Sequence, residues 1–383
     1  MKRLFLILGI FGMLFSLFNS KSIAKADETL VLNSAYCVLI EPKSKRILYQ
    51  ENEDEKLYPA SMTKMMGMLL IMEGIEEGKI SFKDEVICSD YASSMGGTQI
   101  YLEPGEKMTL EDLFKAVAIN SANDAIVCLG EHLMGSNELF VKRMNEKAKI
   151  LGMNNTSFMN ATGFDDPNHY TTPFDMAILA CELLKYEKDV LKYSSLKESY
   201  VRENSDNPFW LVNTNKMLGA YEGMDGLKTG YTNKAGYNLT ATAKRNGVRL
   251  VSVVMHEKDI KSRSKDTTTL LNYGFSLLKA MSIYKANEII TTYKFNNSMD
   301  EVVGLVTHDD VTIIVDKNTN LNDINVEIIL DTIEPPISDD IPIGILLIRV
   351  NNQEFKFDVY SEKSLPKPSF FDYFWMMILN LLS

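Results

Sequence analysis

The sequence predicts two folded units, a larger one in which helices lie between antiparallel strand pairs and a smaller one built of strands. Three observations point there. At 383 residues the chain exceeds the usual size of one domain and can bury a sizeable core. Strand-type alternation brackets a long helical middle. Beyond about Ser282 the text changes to short apolar runs broken by Asn, Asp and Pro. Hydrophobic residues at 45% and charged residues at 24% are ordinary for a globular protein, and no repeat suggests a solenoid.

In the larger unit, Val31–Ile40 and Arg46–Gln50 read as a hairpin across the turn Glu41-Pro42-Lys43-Ser44. The apolar run from Ser61 to Glu77 has helix length and stops at Gly78, so Ser61 is expected to open a helix. Helical spacing recurs at Leu110–Asn120, Ala122–Leu133, Glu138–Leu151 and, after Thr172-Pro173, Phe174–Tyr186. Strands return at Gly236–Ala243 and Arg249–His256, joined by Arg245-Asn246-Gly247, and a helix at Thr267–Met281 closes the unit. The smaller unit is expected to hold Val302–Thr307, Val311–Val315, Val326–Leu330, Gly344–Val350 and Glu354–Val359, and to serve as a stalk or spacer.

Both ends carry signals of place. Lys2-Arg3, the apolar run Leu4–Phe18 and Ala24-Lys25-Ala26 have the three-part layout of a secretory signal peptide, too short in its apolar part for the ~20 residues of a membrane span. Cleavage after Ala26 removes Lys2, Arg3, Lys21 and Lys25 and no acid, which moves the formal charge from −11 to −15 and argues against a nucleic-acid partner. At the other end, Leu365-Pro366-Lys367-Pro368 precedes the apolar stretch Phe370–Leu382. That stretch is too short to cross a bilayer, and with Trp375 and nearby lysines it suits a helix lying in a membrane surface. The expected divisions are a leader at 1–26, a catalytic unit at 27–281, a β unit at 282–361 and a linker and tail at 362–383. Cys37, Cys88, Cys128 and Cys181 lie far apart with no C-x-x-C pair and are expected to be buried free thiols.

Chemistry enters at Pro59-Ala60-Ser61-Met62-Thr63-Lys64, where a hydroxyl and an amine three residues apart share one helical face. A serine hydroxyl needs a neighbouring base, and a lysine serves when burial or another cation favours its neutral form. S-x-x-K by itself selects nothing, because the chain contains it seven times. Only Ser61 is followed, 60 residues on, by Ser121-Ala122-Asn123 at a helix start and later by Lys228-Thr229-Gly230 leading into a strand. Ser121 is suited to pass a proton between nucleophile, base and leaving amine, and Asn123 to orient Lys64 and bond the substrate amide. Lys228 and Thr229 are suited to hold a negative terminus. Gly230 is expected to leave room for the substrate backbone, and Tyr231 to offer its backbone N–H.

Other patterns fall away. Ser205-Asp206-Asn207 also spells S-x-N, but it is followed by Pro208 in a polar stretch and reads as a surface turn. His132, His169, His256 and His308 show no metal-ligand spacing, so no metal or cofactor is expected. No G-x-S-x-G elbow is present.

The three motifs in this order resemble the active-site-serine penicillin-recognising family. Ser121-Ala122-Asn123-Asp124-Ala125, Leu151-Gly152-Met153-Asn154 continuing to Asn160-Ala161-Thr162-Gly163, and His169-Tyr170-Thr171-Thr172 narrow the resemblance to its low-molecular-mass D-alanyl-D-alanine carboxypeptidases. It covers roughly residues 30–280, and the later β segment and tail are similar to that family's C-terminal domain and membrane anchor. The resemblance implies an α/β (α+β) transpeptidase-type fold, an antiparallel sheet flanked by helices with a helical insert carrying Ser121, and a small all-β C-terminal domain. It implies removal of the terminal D-alanine from peptidoglycan stem peptides ending in D-Ala-D-Ala, through an acyl-enzyme on Ser61, outside the cytoplasm at the membrane face or cell wall. It also implies inhibition by β-lactam antibiotics acting on the same serine. Within it Lys64 is the proton acceptor, Ser121 the shuttle and Lys228 with Thr229 the carboxylate anchor. Arg263 is the positional counterpart of the arginine that helps bind the carboxylate. His169, read by itself, is expected to be a structural partner near the cleft and not a catalyst. A class A β-lactamase would need an E-x-x-L-N phrase between Asp124 and Leu227, and there is none. Endopeptidase or transpeptidase action on the same fold differs only in the bond cut or the acceptor, which the motifs do not distinguish.

Overall fold

The computed structural model describes residues 30–203, 205–295, 302–331, 334–367, 369–371, 374 and 378. The expected leader at 1–26 and most of the expected tail helix, Trp375 included, lie outside the described residues.

Strands β1 (Cys37–Glu41) and β2 (Arg46–Glu51) form the expected hairpin. The first strand begins six residues later than Val31. The backbone amides of Asn33 and Ser34 bond the Asp266 carboxylate at 2.7 and 2.6 Å, so this stretch is tied to a helix instead of a sheet neighbour. After a short 3₁₀ turn, Ala60–Thr63, helix α1 (Lys64–Glu76) has ten of its thirteen residues buried, which explains why its text is apolar all round.

A helical insert follows. It comprises β3 (Glu85–Ile87), α2 (Asp90–Ser93), β4 (Lys107–Thr109), α3 (Leu110–Ile119), α4 (Asn123–Met134), α5 (Asn137–Ile150), α6 (Pro173–Leu183) and α7 (Glu187–Ser194). Thr109, Ser136 and Thr172 cap α3, α5 and α6 by accepting from the amides of Asp112, Leu139 and Asp175, which fixes where those helices start. The hairpin β5 (Glu198–Val201) and β6 (Phe209–Val212) encloses Ser205-Asp206-Asn207 as an exposed turn.

The chain then returns to the sheet as β7 (Met224–Thr232), β8 (Gly236–Arg245) and β9 (Val248–Glu257). Asn246 and Gly247 both have positive φ, 48° and 81°, as a two-residue hairpin turn of matching twist requires. The five strands lie in the order β2-β1-β9-β8-β7, all antiparallel, with β7 at one edge. One sheet face packs on α1 and α6, the other on α8 (Ile260–Leu277).

The helix expected at Thr267–Met281 is corrected. Asp259 caps α8 seven residues earlier, and the helix ends at Leu277. Leu278–Tyr284 is strand β10, paired with β13 (Val311–Asp316) of the smaller unit. Its apolar residues suit either period, and the long-range pairing decides between them. The remaining strands β11 (Thr291–Lys294), β12 (Val302–Val306), β14 (Asn325–Leu330), β15 (Gly344–Val350) and β16 (Gln353–Ser361) form a second sheet, ordered β11-β12-β16-β15-β14. Val303, Ile313, Leu346, Ile348 and Val359 lie at the centre of this unit's own core. All four cysteines are buried and free.

Candidate active site

Ser61 does not open the α-helix; it sits in the 3₁₀ turn just before it. The turn opens at Ala60, whose φ of 47° is a strained value for a residue with a side chain. Lys64 is wholly buried, and its Nζ donates to Ser61 Oγ at 2.9 Å and to the Thr162 carbonyl at 2.7 Å.

The turn is held from several sides. Asn238, itself wholly buried in β8, donates from its amide to the Tyr58 carbonyl at 3.0 Å, and Thr240 Oγ1 donates to Met62 Sδ at 3.2 Å. His169 Nδ1 accepts from the Met159 amide at 3.2 Å, so its Nε2 carries the proton and donates to Thr63 Oγ1 at 2.8 Å. Burial pushes His169 down to about 4. Because the unfolded histidine, near 6.5, takes up a proton first, stability from this group is complete above pH 6.5 and falls as the pH drops toward 4, by roughly 3 kcal/mol at the limit. Denaturant melts of the wild type between those pH values should show this slope, and His169→Gln, which cannot titrate, should flatten it.

Two glycines admit the close contacts. A Cβ on Gly230 would lie 2.6 Å from the Pro59 carbonyl oxygen, so the space this glycine leaves is filled by the protein's own turn, correcting the expectation that it admits substrate backbone. Gly163, at φ +90°, passes so close to Ala60 that a Cβ would lie 1.9 Å from that carbonyl oxygen. Asn160 shapes this loop by accepting from Thr162 Oγ1 and from the amides of Gly163 and Phe164.

Ser121 and Asn123 come from the loop between α3 and α4. Ser121 has φ +66°, is 4% exposed, and its Oγ has no hydrogen-bond partner among the described residues. Asn123 does not orient Lys64: its Nδ2 donates to the Gly96 carbonyl at 2.7 Å, its Oδ1 has no partner among the described residues, and the second bond of Lys64 goes to Thr162 instead. Asp124, fully buried, accepts from the amides of Ile100, Leu102 and Ala125 and ties this loop to the segment before it.

On the edge strand β7, Lys228 is 1% exposed, and burial brings it down to about 7. Lys64 is held well below its ordinary value by burial first and by the Lys228 charge second, against the opposing pull of Asp124. Thr229 Oγ1 donates to Thr214 Oγ1 at 2.7 Å. The Tyr231 ring faces outward, 51% exposed, against Tyr237. Arg263 is buried and donates to the Asn238 carbonyl at 3.4 Å; no hydrogen bond joins it to Ser61, Lys64, Lys228 or Thr229.

Thr162, Asn160, Thr214, Asp124 and Asn238 were not singled out by chemistry in the sequence. Asn160 to Gly163 and Asp124 stand in family-like phrases, whereas nothing in the text marks Thr214 or Asn238.

Residues 22–259 match the family described as D-alanyl-D-alanine carboxypeptidase, and residues 279–367 match the C-terminal domain of penicillin-binding protein 5. The D-alanyl-D-alanine carboxypeptidase DacF of Bacillus subtilis is 42% identical over 358 residues, 92% of each chain. Among solved structures, penicillin-binding protein 5 from Haemophilus influenzae is 27% identical, with a TM-score of 0.67 over 89% of this chain and 100% of that one. Penicillin-binding protein D2 from Listeria monocytogenes, in its ampicillin-bound form, is 31% identical, with a TM-score of 0.56 over 65% of this chain and 99% of that one. The antiparallel sheet flanked by helices, with its separate β domain, is the architecture the motifs implied, and the chain belongs to the D-alanyl-D-alanine carboxypeptidase family.

Proposed function

We propose that the protein is a serine D-Ala-D-Ala carboxypeptidase of the bacterial cell wall, acting through an acyl-enzyme on Ser61. The observation that carries this reading is a wholly buried lysine amine 2.9 Å from the Ser61 hydroxyl, in surroundings that disfavour its charge. Neutral Lys64 takes the Ser61 proton while Oγ attacks the carbonyl carbon of the penultimate D-alanine. Backbone N–H groups of Ser61 and Tyr231 stabilise the oxyanion. Ser121, whose hydroxyl is uncommitted, passes the proton to the leaving nitrogen as the C–N bond breaks, and terminal D-alanine departs. Water, deprotonated by the same base, then breaks the ester and restores Ser61.

Lys228 and Thr229 anchor the terminal carboxylate, whose negative charge favours the charged form of Lys228 on binding. Asn123 offers its free Oδ1 to a substrate amide N–H. Arg263, which donates to the Asn238 carbonyl opposite Gly230 in register, assists this anchor as the counterpart of the arginine that helps bind the carboxylate. β-Lactams acylate the same serine. The reading also includes export by the 1–26 leader and association of the Phe370–Leu382 tail with the membrane surface, with the β unit as spacer. The strand Leu278–Tyr284 favours a junction just after Leu277 over one after Met281.

The test is intact mass after brief exposure to benzylpenicillin, for wild type and Ser61→Ala, with D-alanine release from a diacyl-Lys-D-Ala-D-Ala peptide. A one-drug mass gain that Ser61→Ala abolishes, together with released D-alanine, is the expected result. Rapid drug turnover without D-alanine release would point to a lactamase, and no adduct would leave a binding protein.

A further inference from the structure

The Thr229–Thr214 contact has a direction. Thr229 Oγ1 is the donor and Thr214 Oγ1 the acceptor at 2.7 Å. A threonine hydroxyl has one proton, so in this state Thr229 has none for a carboxylate and presents only lone pairs toward the cleft. A carboxylate docking there gains from Thr229 only when that proton turns to it, and the oxygen then loses its contact with Thr214 unless Thr214 donates in return.

Thr214 is built to do so. It stands in Asn213-Thr214-Asn215, where both asparagines are buried and spend their side chains on backbone. Asn213 Nδ2 donates to the Ser194 and Leu196 carbonyls at 3.1 and 2.8 Å, and Asn215 Nδ2 to the Gly226 carbonyl at 3.1 Å. The Thr214 amide donates to the Ile119 carbonyl at 3.3 Å, two residues before Ser121. Its main chain is therefore fixed between the Ser121 loop and the Lys228 strand, while its hydroxyl makes no hydrogen bond among the described residues besides the one to Thr229.

Resting on the carboxypeptidase reading, we infer that Thr214 is a specificity-determining positioning residue: its hydroxyl reverses from acceptor to donor when substrate binds, so that a chain Thr214 to Thr229 to carboxylate recognises a free carboxyl terminus. Chained hydrogen bonds polarise one another, and the terminal one is charge-assisted. The effect belongs to the carboxylate and is absent for an ester, whose oxygens accept weakly.

The test compares acylation by benzylpenicillin and by its methyl ester in wild type, Thr214→Val and Thr214→Ser. Valine keeps the shape and loses the donor; serine restores it. The expected result is a fall of about tenfold in the acid-over-ester preference for Thr214→Val, recovered in Thr214→Ser. KM for the D-Ala-D-Ala peptide should rise by about the same factor, with kcat within twofold and the melting temperature little changed. An unchanged preference, an equal loss for acid and ester, or no recovery with serine overturns the inference. Failure of the parent reading looks different: a wild type that forms no adduct, or that takes acid and ester equally well, removes the carboxylate anchor and this inference with it.

Discussion

Replacing Lys64 with methionine is expected to slow acylation of Ser61 by roughly 10³-fold or more, the scale of a lost general base. Methionine fills most of the lysine volume in a site that is wholly buried, so the turn keeps its packing while Ser61 Oγ loses the amine 2.9 Å away that takes its proton. Time-resolved intact mass with benzylpenicillin measures the rate, and a variant within tenfold of wild type would remove Lys64 from the mechanism. The same variant carries a stability signature. The unfolded lysine, near 10.5, keeps its proton at neutral pH, whereas burial and then the Lys228 charge hold the folded one well below that value. Folding therefore releases a proton, and wild-type stability from this group rises with pH toward 10.5. Methionine has no such dependence, so thermal melts should favour the variant increasingly as the pH falls and the gap should move the other way on the alkaline side.

Gly163→Ala is expected to lose roughly 2–4 kcal/mol of stability and about 100-fold in acylation. The position combines φ +90°, where a side chain is strained, with backbone that has no room to yield: Ala60 O at 1.9 Å and Ser61 N at 2.9 Å from the new methyl group. Either the loop retreats and takes the Thr162 carbonyl from Lys64, or the Ser61 turn shifts. Gly78→Ala is the control, since its φ is +69° with nothing within 4 Å of the added carbon. It should lose only about 1 kcal/mol and acylate normally. Equal activity in the two variants would mean that the loop does not set the position of Ser61.

The fold and the site are most legible in the sequence where chemistry is local. Ser61 and Lys64 lie on one turn, and periodicity found α3, α4 and α5 to within a residue or two because each is capped or bounded within its own text. They are less legible where a distant group decides. Residues 31–36 alternate like a strand, yet Asp266, more than 230 residues away, takes their amides. Met281 fits a helix until β13 is brought alongside. At the site, the spacing of Ser121 and Asn123 suggested an asparagine aimed at Lys64, but the approach of Gly96 gives its amide another acceptor. The sequence marks Gly230 as a place for substrate backbone, while what fills that space depends on how the edge strand meets the nucleophile turn. Thr214 and Asn238 have no motif at all, because their roles arise from contacts across 15 and 180 residues.

The join between the two units has a mechanical consequence. Helix α8 passes into β10 without an intervening loop: Leu278 is already extended, and the Leu277 carbonyl accepts from the Lys317 amide of the smaller unit. Arg46 of the sheet grips Asp316 at 2.6 Å beside it. A twist applied to the smaller unit is thus passed through α8 into the sheet whose edge bears Lys228, because no slack residue absorbs it. The cleft and the smaller unit therefore turn together, as a lever turns with its handle, instead of swinging about a free linker.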